Sequence, residues 1–203
     1  MGSETDSLRV NAARADITPS TLLPLFGRAR RSGAARTIAS RLEANVLLFD
    51  APDGPAAIIA IDSLYASQQL EDEVRRQTAA RGLSFSQGAL LFVASHTHNA
   101  PSLDPTKPRL GPVDVGYLDF AAARITEALL VARSLHNGVA HVAHGQALCA
   151  ASTFRRRAIV GIDLARLRVS KRVVMAPDAR VAIDQRLKLL LLSGADQTPR
   201  AVL

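Results

Sequence analysis

Residues 56 to 95 constrain the fold more than any other stretch. Ala56-Ala-Ile-Ile-Ala-Ile61 is an apolar run of strand length, Gln68 to Arg81 has helical spacing, and Ala89-Leu-Leu-Phe-Val-Ala-Ser95 is a second apolar run. Strand, helix and strand in that order make the crossover that joins two parallel strands, which a tight turn cannot do. Within the helical segment Leu70, Val74 and Ala79 define the apolar side. Glu71, Asp72 and Glu73 come early and Arg75, Arg76 and Arg81 late, an order that complements the helix dipole, and Gly82 ends the helix.

The second apolar run continues into His96-Thr97-His98-Asn99, and Pro101 then stops regular structure. In an extended backbone, side chains at i and i+2 point the same way, with Cα atoms about 6.5–7 Å apart. Two imidazoles leaving a strand on one face can share a metal ion, or one can bind it while the other handles substrate. Ser95, Thr97 and Asn99 offer the polar neighbours that a metal-bound histidine needs. Sites in α/β proteins tend to sit at the carboxyl ends of strands, where this pair falls. A His-x-His alone is also compatible with a satisfied structural histidine. Asp62, at the end of the strand before, either faces the same crevice or caps the helix, and Ser63 or Ser67 would cap it equally well.

The rest of the chain extends this pattern. Leu8 to Ala15 reads as a short strand closed by Asp16-Ile-Thr-Pro19. Leu22 to Arg36, with Pro24, Gly27, Gly33 and several arginines, reads as a long irregular loop of the kind that often carries function. Asn45 to Phe49 is a strand, joined to 56–61 through Asp53-Gly54, a hairpin signal. Pro101 to Pro112 is a proline-stiffened lid or rim. Asp114 caps a long helix with Leu118, Ala122, Ile125, Leu129, Ala132 and Leu135 on its apolar side. His136 is a cation at that helix's end, and Asn137-Gly138 terminates it. Val139 to Cys149 reads as a strand, so His141 and His144, three apart, point to opposite faces and are not a ligand pair. Ala158 to Val160 and Arg186 to Leu192 are strands. Ser193 to Pro199 is a turn, and Ala201 to Leu203 opens a further strand that stops without a cap.

These elements predict an α/β fold: a mixed, largely parallel sheet flanked by helices, in a single domain over residues 1–203 that is truncated at its C-terminal end. A chain of 203 residues suits one well-cored domain. Composition, 48% hydrophobic and 21% charged, is that of a globular protein, and the absence of Trp implies an aliphatic core. The single Cys149, in apolar surroundings, excludes an internal disulfide framework and reads as a small core residue. The net charge of +7 comes mostly from arginine, clustered at 28–31, 155–157 and 166–172. No aromatic stripe or binding motif accompanies it, so no specific nucleic-acid partner is expected and arginine-rich codon usage is the simpler explanation. The polar, acidic N-terminus lacks a signal segment, and no apolar run approaches the roughly 20 residues of a membrane helix. The chain as given therefore reads as cytoplasmic.

The order of motifs resembles the N-terminal part of the neutral/alkaline, non-lysosomal ceramidase family. The residues that carry the resemblance are Asp16-Ile-Thr-Pro19, the loop at Gly27, the strand ending Ala60-Ile-Asp62, and Ser95-His96-Thr97-His98-Asn99-Ala-Pro101. Ser95 stands where the family has Thr, and Asn99-Ala100 where Ser-Gly is usual. The resemblance implies a zinc-dependent amidase that splits the N-acyl bond of a ceramide-like lipid into fatty acid and sphingoid base. His96 would then be a ligand of one zinc ion, and His98 a catalytic imidazole on substrate or oxyanion. Arg156 would be the substrate-contacting arginine, with Arg155 and Arg157 as alternatives. The remaining zinc ligands of the family match no residue here, so weak zinc binding and little turnover are expected of this chain alone. The resemblance further implies a small-molecule lipid amide as substrate, contact with a membrane surface to reach it, and secreted relatives.

Two other hydrolase classes place His-x-His after a strand. A metallo-β-lactamase type wants Asp and His where Ala100 and Pro101 stand, and a TIM-barrel amidohydrolase needs about 250 residues or more downstream of the pair. The non-enzyme alternative is a basic binding domain that keeps the hydrolase fold without catalysis.

Overall fold

The computed structural model describes residues 9–27, 33–51, 53–135, 141–163 and 168–203, without the side chain of residue 163. The expectations placed on Leu8, Arg28, Arg30, Arg31, His136, Asn137-Gly138, Val139-Ala140 and Arg166 lie outside these residues. The chain divides into two compact units, Met1–His141 with Leu192–Ala201, and Val142–Leu191 with Val202–Leu203.

The first unit is built on a four-stranded sheet in the order β1 (Arg9–Asp16), β2 (Glu43–Ala51), β3 (Gly54–Ile61) and β4 (Leu90–Ala94). β2 and β3 form an antiparallel hairpin, with Gly54 at φ +118° where the chain turns. β3 and β4 run parallel, joined through helix α1 (Gln68–Ala79) as the strand–helix–strand spacing predicts. β1 runs antiparallel to β2. Asp16-Ile-Thr-Pro19 fastens the long connection between those two strands. Asp16 accepts the Thr18 amide at 2.8 Å, and the Thr18 hydroxyl accepts the Leu42 amide at 2.8 Å.

Residue alternation sorts this sheet into two faces. Ala44, Val46, Leu48, Ala57, Ile59, Ile61 and Leu90 are buried on one, and the register puts Asn45, Ala60, Leu91 and Val93 on the other, exposed. Helix α2 (Val115–Ser134) packs on β1 and β2 and against α1, so both helices share one continuous core with the buried sheet face. Lying between sheet and helix, α2 needs a wider apolar surface than a single stripe. Tyr117, Ala121 and Ala128 are buried beside the expected Leu118, Ala122, Ile125, Leu129 and Ala132. Asp114 caps it as predicted, accepting the Tyr117 amide at 2.8 Å. Leu135 is the extended C-cap residue, and its carbonyl accepts from buried Asn11 at 3.1 Å. In α1 the third buried position is Thr78, not Ala79, because Leu70, Val74 and Thr78 follow the four-residue row of the helix surface.

In the second unit β6 (Arg156–Asp163) and β7 (Arg168–Met175) form an antiparallel hairpin. β7 was hidden from sequence reading by its cationic residues. A further three-stranded sheet, β5 (His141–Leu148), β8 (Arg186–Ser193) and β9 (Pro199–Val202) in the order β5-β8-β9, is divided between the units, with His141, Leu192, Ser193 and Pro199 to Ala201 in the first.

The largely parallel α/β fold flanked by helices is therefore not what forms. Among the described residues nine strands stand against two α-helices. Only β3–β4 of the first sheet is parallel, and both helices pack on one face of it. The reason is topological. A parallel pair needs a crossover of a dozen or more residues, which here joins β3 to β4, whereas β1–β2, β2–β3 and β6–β7 pair antiparallel. No helix among the described residues is long and apolar enough to cross a membrane.

Candidate functional site

β4 ends at Ala94, one residue short of the apolar run, and the Ser95 amide makes a last bond of 3.0 Å to the Ile61 carbonyl. The two histidines thus lie beyond the strand and not on its extended edge. His96 adopts φ +58°, a left-handed conformation uncommon for a residue with a side chain. The rings meet nonetheless. His96 and His98 pack edge to face, with centroids 5.5 Å apart and planes at 87°. The pairing comes from a turn of the backbone, not from the strand alternation that the sequence suggested.

His96 is fixed through its Nδ1, which lies 3.0 Å from the Leu64 carbonyl oxygen. A carbonyl only accepts, so Nδ1 carries the proton and the lone pair of a neutral ring resides on Nε2. This is the arrangement in which imidazole binds a metal or takes a proton. The Tyr65 ring packs on His96 at 5.4 Å and on Phe26 at 6.4 Å, both edge to face. Lys107 Nζ stands 4.6 Å above the centre of Tyr65, and it also pairs with the carboxylate of Asp104 and donates to the Thr106 hydroxyl at 3.4 Å. Asp104 is buried, and burial by itself would raise its pKa. Hydrogen bonds from Lys107 and from the Thr106 hydroxyl and amide outweigh that and hold it below the ordinary value. The first third of the expected rim is interior: Pro101, Ser102, Leu103 and Asp104 are all buried.

Gly27 approaches the pair from the long loop. Its amide donates to Leu110 O at 2.9 Å, and the neighbouring Phe26 amide donates to Ala100 O at 2.9 Å, tying the loop to the segment that follows the histidines. A cavity of about 220 Å³ opens beside that segment, lined by Leu22, Leu23, Leu25 and Ile38 together with Asn99 and Pro101.

Asp62 is not the cap of α1. Its carboxylate accepts the Glu43 amide at 3.1 Å, and Ser67 caps α1 by accepting the Leu70 amide at 3.2 Å. The charges of Asp62 and Asp16 add to burial in pushing the Tyr117 phenol above its ordinary range. Arg156 stands on β6 of the second unit, paired across the hairpin with Met175, whose Sδ its guanidinium touches. Arg155 and Arg157 are exposed on the same segment. His141 and His144 lie on β5, exposed, and Cys149 is half-buried with its thiol free.

Sequence reading missed Tyr65, Asp104 and Lys107. The Asp104-Pro-Thr106 turn is a detectable signal, since Asp readily accepts the amide two residues on, but nothing local shows that Lys107 reaches Tyr65. Among the described residues no three His, Cys, Asp or Glu side chains converge on one point that could hold a metal. His96 suits a metal ion, while the described residues do not complete the three protein ligands that a catalytic zinc takes.

No protein-family model matches the chain, and no curated protein matches it in sequence. Solved structures do match in fold. A neutral ceramidase from Pseudomonas aeruginosa superposes with a TM-score of 0.68 at 14% identity, covering 95% of this chain and 30% of that one. A ceramidase complexed with C2 gives 0.66 at 14% identity, covering 96% and 30%. The chain therefore has a ceramidase-like fold and spans about 30% of the length of these structures.

Proposed function

We propose that the chain carries part of an amide-hydrolase site of the ceramidase kind, acting on the N-acyl bond of a ceramide-like lipid. The observation that carries this reading is the His96–His98 pair, with Nδ1 of His96 directed to the Leu64 carbonyl and Nε2 left as the reactive nitrogen. The fold likeness and the aliphatic cavity beside Asn99 support it.

In this reading His96 is a ligand of a zinc ion and His98 hydrogen-bonds the carbonyl oxygen of the amide, stabilising the charge that develops there. Bound zinc would polarise the carbonyl and bring the pKa of its water to about 7. Arg156 is the arginine assigned to substrate by resemblance. With an incomplete ligand set, weak zinc binding and little or no turnover are expected of this chain by itself. That incompleteness also favours a second reading, a basic binding domain that retains the hydrolase fold.

Zinc titration of the full chain by calorimetry, alongside hydrolysis of a fluorescent N-acyl sphingoid, tests the proposal. Zinc binding that His96→Ala abolishes supports it. Absence of zinc binding, or binding indifferent to His96, overturns it. Salt-sensitive nucleic-acid binding without zinc would establish the second reading.

A further inference from the structure

The β6–β7 hairpin has one face that nothing in its unit covers. The register pairs Ala158 with Val173, Val160 with Lys171, and Ile162 with Val169, while Arg156 pairs with Met175. With strand alternation these side chains all project from one face. Val160, Ile162, Val169, Val173 and Met175 are 66, 67, 72, 63 and 66% exposed. Five large apolar side chains adjoining in one exposed patch exceed the scattered surface hydrophobics of an ordinary globular surface and mark a contact site.

The charges around the patch select the partner. Arg155, Arg156, Arg157, Arg168, Lys171 and Arg172 are the cations of the described hairpin region, against Asp163 as the one acid between 155 and 175. Lys171 and Arg156 share the apolar face, and the other arginines flank it or lie behind it. Lys171 stands among the apolar side chains, and lysine is depleted at protein interfaces. At a lipid surface, apolar side chains enter the acyl boundary while long cationic stems reach back to phosphates.

We propose that the exposed face of the β6–β7 hairpin is a docking surface for an anionic lipid membrane, lying in the interface without crossing it. Each cation near such a surface contributes about 1 kcal/mol, and the apolar side chains add burial. The proposal rests on the hairpin's own surface and stands whether or not the hydrolase reading does.

Sedimentation of the full chain with vesicles of phosphatidylcholine, and of phosphatidylcholine with phosphatidylserine, tests it. Strong binding is expected only to the phosphatidylserine vesicles. Replacing Val160, Ile162, Val169 and Val173 together by Thr keeps β-branched residues suited to strands, and should abolish binding with the circular dichroism spectrum unchanged. Arg156→Gln and Lys171→Gln together should weaken it by roughly 30-fold. This charge variant leaves the apolar side chains in place, so it decides the matter even if the first variant unfolds. Equal binding to both vesicle types, no binding to either, or wild-type binding by the charge variant overturns the proposal. Capture of a protein partner by this face, with vesicles ignored, overturns it equally.

Discussion

A Cβ added to Gly27 would lie 2.6 Å from Nδ1 of His98, closer than real Cβ contacts come, and 2.7 Å from Leu64 Cδ2. Gly27 also holds φ +94°, where a side chain is strained. The backbone of the long loop thus forms the wall against which the His98 imidazole rests, and the same added atom would press on the residue whose carbonyl fixes His96.

Gly27→Ala should accordingly do two things. It should cost roughly 1–3 kcal/mol of stability from backbone strain, and it should displace the His98 ring. Gly82 is the control, since it holds φ +77° with open space around its Cβ position. Gly82→Ala should show a strain cost alone. Urea melts of both variants, with side-chain NMR of the histidines, separate the two effects. An unchanged His98 resonance in Gly27→Ala would contradict the packing.

Ser67 joins the helix of the crossover to the segment after the histidines. Its hydroxyl accepts the Leu70 amide at 3.2 Å and donates to Leu103 O at 2.6 Å. Ser67→Ala removes the cap of α1 and leaves the buried Leu103 carbonyl without that donor. The expected loss is about 1–3 kcal/mol. Ser67→Asp keeps the cap acceptor and cannot donate while ionised. Denaturant midpoints in the order wild type, Ser67→Asp, Ser67→Ala would show that both bonds count. Equal loss in both variants would leave the Leu103 bond as the dominant one.

Much of the first unit was legible because its signals are local. The strand–helix–strand order, the Asp114 cap and the Asp53-Gly54 turn depend on near neighbours, whereas Ser67 stood beside Asp62 and Ser63 as an equal candidate for the cap of α1. The sheet's overall direction was not, since it depends on how strands far apart in sequence pair, as β1 and β2 do across residues 17–42. β7 was missed because four of its eight residues, Arg168, Ser170, Lys171 and Arg172, are polar in a strand that is exposed almost throughout, so burial imposes no clear alternation. The histidine pair was legible as a motif, but its geometry was not. His96 bonds the Leu64 carbonyl and packs on Tyr65, which in turn packs on Phe26, and these contacts between separate segments leave no trace in local spacing. Gly27 could be read as a loop glycine, but its distance to His98 has no counterpart in spacing.

Asp178 should dominate the acid limb of stability in the second unit. Bonds from the Arg180 side chain, aided by the Arg180 amide and by nearby Arg157, hold its pKa at about 2 against an ordinary 3.8. A folded-state pKa below the unfolded one contributes stability that is complete above the unfolded value and lost as pH falls through the folded value. The contribution is therefore present above about pH 4 and gone below about pH 2. Asp178→Asn should flatten the pH dependence of the thermal midpoint within that window and leave the difference between variants constant above it. A wild-type slope retained in the variant would assign it to another carboxylate.

The last prediction concerns the ion pair behind Tyr65. Asp104 is 2% exposed and Lys107 is 41% exposed at the side chain, so the pair joins a buried acid to a cation that water still reaches. Removing the lysine alone leaves a buried carboxylate held only by Thr106, and removing both partners leaves no charge to solvate. Lys107→Met should therefore destabilise by roughly 1–3 kcal/mol, and Asp104→Asn in the Lys107→Met background should recover part of that loss. The cation also stands over the ring that packs on His96. Lys107→Met should loosen Tyr65 and broaden the His96 ring signals, whereas Lys107→Arg, which keeps both the charge and the ring contact, should not. Histidine NMR on the three variants, read against the urea melts, tells a merely stabilising ion pair from one that also holds the imidazole. Unaltered His96 signals in a Lys107→Met protein that has lost stability would confine Lys107 to the first role.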